Sequence, residues 1–230
     1  NALHKPKRFF GAARNIENAG AAGLNAAVTL HKLGQKNIAL ITEGRYMGTS
    51  RNTGSDKQTY YKMTQCGSEP DSVRKMAKTL FEGGCVDGDI AMAEAAGSLR
   101  AFYHLVDIGV PFPFNKSGEY VGYKTDHDPL KRGISAGPLT SKYMTECLER
   151  QAEERGIPFF DGYQAVRLLT EEKDGEKRAA GIIALNKQKA ASPDERYAVF
   201  SAVNIIWATG GEAGMYQASV YPVSQTGGMG

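Results

Sequence analysis

One run of residues constrains this chain more than any other: Asn18-Ala-Gly20-Ala-Ala-Gly23-Leu-Asn-Ala-Ala-Val-Thr-Leu30-His-Lys-Leu-Gly34, closed by Asn37-Ile-Ala-Leu-Ile-Thr-Glu43. It reads as a turn, a helix, a connector and a buried strand. Small and apolar residues at Ala22, Ala26, Ala27, Leu30 and Leu33 predict the helix face that packs on a sheet. Gly34 stands where such a helix stops. Ile38-Ala-Leu-Ile41 is apolar throughout, as a parallel strand covered on both faces is. Gly20 and Gly23 put no side chain at the turn, so backbone can approach a diphosphate and helix can approach strand. The helix N-terminus offers N–H groups and partial positive charge to a phosphate. Glu43 follows about 20 residues on, where a carboxylate meets a ribose hydroxyl. The alternative is an α/β unit whose glycines serve packing alone.

The approach to the turn departs from this pattern. Asn18 stands where a third glycine would, although Asn tolerates a left-handed backbone. Arg14, Asn15 and Glu17 make the preceding segment, Gly11–Glu17, a poor central parallel strand, and no strand is expected there with security.

Composition narrows the function classes. The 230 residues are 41% hydrophobic, enough for a core, and the net charge of +3 gives no reason to expect nucleic acid as a partner. The basic opening His4-Lys-Pro-Lys-Arg8 reads as a solvated tail. No apolar run reaches the ~18 residues of a membrane span, so direct membrane insertion is not expected. Cys66, Cys85 and Cys147 are odd in number and far apart, which suits a reducing, cytoplasmic setting and offers no metal-ligand spacing.

Beyond Glu43 the chain turns irregular, from Gly44 to Tyr61, rich in Gly, Ser, Thr and Asn. It reads as a loop leaving the carboxyl end of a strand, where α/β sheets bind ligands. Asp71 or Ser72 can cap a helix to about Glu82. A second helix runs from about Asp87 to Asp107, with Ile90, Ala93, Leu99, Phe102 and Leu105 as its apolar positions. His127, flanked by Asp126 and Asp128, is a candidate for acid–base chemistry, though a surface turn before Pro129 is the stronger reading. Gly133–Pro138 reads as a turn and Leu139–Arg155 as an amphipathic helix. Ile157–Phe160, Gln164–Leu169, Ala179–Leu185 and Tyr197–Phe200 read as strands, with Asp174-Gly175 as a hairpin turn. Ala202–Ala208 is a second buried parallel strand, ending in Thr209-Gly210-Gly211. A strand that stops at glycines lets backbone lie against a ligand. The sequence finishes in the glycine-rich Ser224–Gly230, as the front part of a longer polypeptide would.

Taken in order, Gly20-Ala-Ala-Gly23, Glu43, Thr49-Ser-Arg-Asn-Thr-Gly54, Ala208-Thr-Gly-Gly211 and Thr226-Gly227 resemble flavoprotein subunits of the fumarate reductase and succinate dehydrogenase type, the group that includes L-aspartate oxidase and adenylylsulfate reductase. The resemblance implies an α/β, Rossmann-like parallel sheet with a helical excursion and a small antiparallel β insertion. It implies an FAD-binding domain over 1–230, with a capping domain and a closing FAD segment after Gly230. Gly20, Ala21, Ala22 and Gly23 would hold the pyrophosphate of FAD, and Glu43 the adenosine ribose. Gly44 would contact the cofactor, and Ser50, Asn52, Thr53 and Gly54 would lie along the pyrophosphate toward the flavin. Val166 would meet the adenine through its backbone. Ala208, Thr209 and Gly210 would line the cofactor, and Thr226 and Gly227 would open its next turn. No His lies between Gly44 and Gly54, so FAD would be held noncovalently. The implied reaction is hydride transfer between FAD and a small-molecule substrate, with an electron-transfer partner. No catalytic residue is assigned; Arg51 and His127 are the two candidates. A cofactor-less scaffold that kept the fold, and an enzyme using NAD(P) alone, are the alternatives.

Overall fold

The computed structural model describes residues 7–9, 14–17, 20–56, 58–84, 86–125, 128–211, 214, 216–219 and 221. The chain divides into two compact units, residues 1–53 with 148–230, and residues 54–147. The first opens with β1 (Lys7–Phe9), β2 (Arg14–Glu17), α1 (Ala21–Lys32), β3 (Ile38–Thr42) and the single turn α2 (Thr49–Asn52). The second holds β4 (Tyr60–Tyr61), α3 (Val73–Glu82), α4 (Gly88–Asp107) and β5 (Gly133–Ile134). Helix α5 (Thr140–Glu154) carries the chain back to the first unit, which closes with β6 (Phe159–Asp161), β7 (Tyr163–Lys173), β8 (Glu176–Asn186), β9 (Tyr197–Ser201) and β10 (Asn204–Trp207).

The first unit is α/β, as the sequence predicts. An all-parallel sheet runs in the order β10-β2-β3-β6. A second sheet, β1-β9-β8-β7, is antiparallel except for the β1–β9 pair. Two expectations are corrected here. The polar segment Arg14–Glu17 does form a strand, paired on both sides, because ladder bonds come from the backbone whatever the side chains are. Lys7 and Arg8 belong to β1, not to a free tail, and pair with Ala198 and Val199. Strand β3 is buried at all five positions, whereas β10, expected to be buried over Ala202–Ala208, is a shorter, half-buried edge strand with Asn204 exposed. The α1 face consists of Gly23, Leu24, Ala27, Val28 and Leu30. Ala22 and Leu33 lie outside it, because the large Leu24–Val28 pair sets the face and alanines follow. Between the sheets, Ile41, Ala165, Ile182, Ala184, Ala198 and Phe200 form one core cluster. Gly181 there has φ 152°, and a Cβ on it would lie 2.2 Å from the Phe200 carbonyl oxygen. Only glycine permits that approach.

The second unit is a helical hairpin with a two-stranded ribbon. Ser72 caps α3 through the Lys75 N–H, and Asp87 caps α4. Helix α4 packs through Ala91, Ala95, Ser98, Phe102 and Leu105; Ile90 and Ala93, predicted to face inward, are exposed. Gly133–Ile134, read as part of a turn, is instead β5, antiparallel to β4. Asp71, freed from capping, pairs with Arg132 at 2.7 and 2.9 Å. Arg132 is fully buried and donates also to Thr79, Tyr61 and Asp128, while the Tyr61 hydroxyl donates to Asp128. Burial alone would raise the Asp71 carboxyl, but the hydrogen bond from Arg132 and two backbone N–H groups hold it below the usual carboxylate range.

Candidate functional site

The parallel sheet sets the geometry. Its ladder places Trp207, Glu17, Ile41 and Phe160 in one row, with Thr42 opposite Asp161. The carboxyl ends of all four strands therefore share one edge. Gly20, Glu43, Gly162 and Ala208 follow those ends within a few residues. The chain goes from β2 through α1 to β3 on one side, while β10 pairs on the other. That change of direction marks the crevice where open α/β sheets take ligands.

At this edge α1 begins. Gly20 is its N-cap, in an extended conformation, with no side-chain cap and no acidic residue in the first turn. The Ala21 N–H lies 3.5 Å from Ser50 Oγ, which ties the helix start to α2. Gly23 is buried, as a close helix–sheet approach requires, while Ala22 is exposed. A helix start without a cap, an acid or a bulky side chain fits a diphosphate.

Glu43 follows β3 and is exposed. One of its oxygens, Oε1, pairs with Lys187 Nζ. The Gly44 N–H donates to Thr42 Oγ1 at 3.3 Å, shaping the turn. Val166 is the extra residue of a bulge: Ala165 pairs with Ala184 and Arg167 with Ile183. It is 43% exposed, and its neighbour Ala165 packs in the cluster that holds Ile41. A bulged backbone beside a strand end is free to meet a planar ligand.

The loop after Glu43 is held by charge. Arg45 pairs with Glu149 and Glu153, lies 4.2 Å over the Phe159 ring, and donates its backbone N–H to Asp161 at 2.8 Å. Burial opposes its charge, yet the bonds to Glu149 and Glu153 raise the guanidinium above its ordinary value. Arg51, a candidate for chemistry, pairs with Glu149 inside the same cluster. Asn52 donates to the carbonyls of Tyr46 and Gly48, and Thr53 to that of Thr49. Asn52 and Thr53 thus brace the loop itself. Gly54 opens the second unit, where a Cβ on it would lie 3.1 Å from the Pro138 carbonyl oxygen.

Ala208 and Thr209 are half-buried past β10, and Gly210 has φ 80°. The indole Nε1 of Trp207 is buried with no hydrogen-bond partner. Asn18, His127, Thr226 and Gly227 fall outside the described residues. Among the described residues no cluster of His, Cys, Asp or Glu could hold a metal, and no helix is long and apolar enough to cross a membrane. Sequence reasoning missed Lys187, read as part of a polar loop, and the bulge at Val166.

Comparison with known proteins agrees with this fold. The family described as FAD binding domain matches residues 19–229. An L-aspartate oxidase of Agrobacterium fabrum is 26% identical over 218 residues, 92% of this chain and 38% of that protein. The chain thus spans less than half the length of this relative. Among solved structures, E. coli quinol fumarate reductase FrdA matches at TM-score 0.75 and 20% identity, covering 94% of this chain and 35% of its own. Mycobacterium smegmatis Sdh1 matches at 0.78 and 18%, covering 94% and 36%. Adenylylsulfate reductase of Archaeoglobus fulgidus matches at 0.71 and 18%, covering 97% and 35%. These likenesses show the fold.

Proposed function

The chain belongs to the FAD binding domain family, and from that premise we propose that it is the cofactor-binding portion of a flavin-dependent oxidoreductase. The observation that carries the reading is the single strand-end edge shared by Gly20, Glu43 and Ala208–Thr209. The start of α1, from Gly20 to Gly23, binds the diphosphate through backbone N–H groups. Ser50 orients that turn through Ala21. Glu43 accepts from the ribose, and the bulge at Val166 offers backbone to the adenine. Ala208, Thr209 and Gly210 bound the cofactor on the β10 side. Bound FAD supplies the hydride chemistry, and the protein supplies position and electrostatics.

The cofactor is held noncovalently, since no His lies between Gly44 and Gly54. The substrate is a small molecule, and an electron-transfer partner serves the flavin. The cytoplasm suits the thiols Cys66 and Cys147, both free. The chain spans 38% of the L-aspartate oxidase relative, so residues 1–230 by themselves are expected to turn over neither fumarate nor succinate.

Trp207 is the one tryptophan among residues 1–230 and precedes Ala208 directly, which makes it a natural reporter, its share of the emission read against Trp207→Phe. Titrating full-length protein with FAD should quench its emission and give a flavin spectrum, and denaturant should release the flavin. A colourless protein whose emission ignores added FAD would favour the scaffold reading. Quenching by NADH with none by FAD would favour the NAD(P) reading.

A further inference from the structure

We propose that Lys187 is a positioning residue for the bound cofactor, acting through Glu43. The inference rests on the reading of Glu43 as the ribose acceptor. Lys187 Nζ bonds Glu43 Oε1 across 144 positions of sequence, and Glu43 Oε2 has no partner among the described residues. Among the described residues no other cation bonds Glu43: Arg45, two residues on, is committed to Glu149 and Glu153.

The backbone beneath Lys187 is firmly placed. Its N–H donates to the Gly162 carbonyl at 2.8 Å. The preceding Asn186 donates to the Arg196 carbonyl at 2.7 Å and accepts from the Gln188 N–H at 3.1 Å. Asn186 Nδ2 also reaches the Tyr163 hydroxyl at 3.3 Å. The short helical turn Lys187–Lys189 is thereby fixed beside the end of β6 and the start of β7, at the same sheet edge as Glu43.

The chemistry follows from which oxygen is taken. A ribose diol needs an oriented acceptor, and an exposed glutamate loses rotamer freedom when it becomes one. It also places a negative charge near a diphosphate. An ammonium on Oε1 removes both penalties in advance and leaves Oε2 for a hydroxyl. Lys187 therefore assists the cofactor and does not compete with it. The pair is 40–43% exposed, so its effect is modest and sensitive to salt.

The test is FAD affinity of full-length protein, measured for wild type, Lys187→Met, Lys187→Arg, Lys187→Glu, Glu43→Gln and the Lys187→Met, Glu43→Gln double variant, at low and high salt. Lys187→Met should weaken FAD binding about threefold at low salt, and the gap should close at high salt. Lys187→Arg should stay within about twofold of wild type, while Lys187→Glu should lose about tenfold. In the Glu43→Gln background, Lys187→Met should change nothing, which a merely structural role would not produce. Equal or tighter binding by Lys187→Met, with Glu43→Gln weakened, would overturn the inference and leave the FAD reading intact. A Lys187→Met loss that persists in the Glu43→Gln background would overturn it too. A wild type that ignores FAD would remove the reading on which it rests.

Discussion

The polar groups at the sheet edge of the first unit and those around Arg132 in the second are treated in opposite ways. Arg132 is sealed from water, and its guanidinium is shared by Asp71, Asp128, Tyr61 and Thr79. At the sheet edge, α1 starts with no side-chain cap, Glu43 keeps one oxygen open, and Trp207 Nε1 has no partner. Groups that saturate one another build structure. Groups left open at a strand end are at the disposal of a ligand. Stability should therefore depend on the first set, and FAD affinity on the second.

The sharpest challenge is Arg132→Met. It leaves two carboxylates buried without their cation and should cost about 3–5 kcal/mol in urea unfolding. A loss under about 1 kcal/mol would mean that the network does not organise the second unit. Next comes Glu43→Gln, which should weaken FAD roughly tenfold, as loss of a charged hydrogen bond does. Its unfolding curve should stay within about 0.5 kcal/mol of wild type. A shift in stability instead of affinity would erase the distinction between the two regions.

The pH response sharpens it further. Burial, then the bond to Asp128, pushes the Tyr61 hydroxyl up to about 12, against an ordinary 10.0. Between those values the unfolded chain loses this proton and the folded one keeps it, so stability falls as pH rises from 10.0 toward 12. Tyr61→Phe should flatten that limb of a denaturation series. Asp71 works at the other end. Its depressed carboxyl stabilises the fold above the unfolded value near 3.8, and that contribution drains as pH falls further. The smallest expected effect concerns Lys62, which is 2% exposed, lies 4.8 Å from the Phe102 ring and has only the Met63 carbonyl, at 3.5 Å, as a hydrogen-bond acceptor. Desolvation lowers its ammonium below the ordinary range. Lys62→Met should gain about 1 kcal/mol, because a buried charge without a carboxylate is replaced by an apolar chain of similar length.

What could be read from the sequence was local. The glycines, the apolar β3 and the acid after it lie within one run, and the parallel ladder puts them where their order implied. The parallel sheet was legible from its apolar run at β3, and the antiparallel ribbon from the turn at Asp174-Gly175, both of which have positive φ. The faces of α1 and α4 were misjudged because alanines lie on several sides of each helix and mark no side well. Strand β2 was doubted because polarity was weighed and backbone pairing, made with residues far along the chain, has no local signature. The same distance hid Lys187 from Glu43 and Arg132 from Asp71. A bulge such as that at Val166 depends on a mismatch between two strands, which neither strand announces alone.

The central position of β2 bears on how the protein is made. Arg14 lies beside Ile38, which is synthesised soon after it, and beside Asn204, which emerges only after the whole second unit. One flank of β2 stays bare until residues 204–207 emerge, and the nucleotide cradle is unfinished until β10 docks. Flavin uptake by a nascent or refolding chain is therefore a clock for the docking of β10.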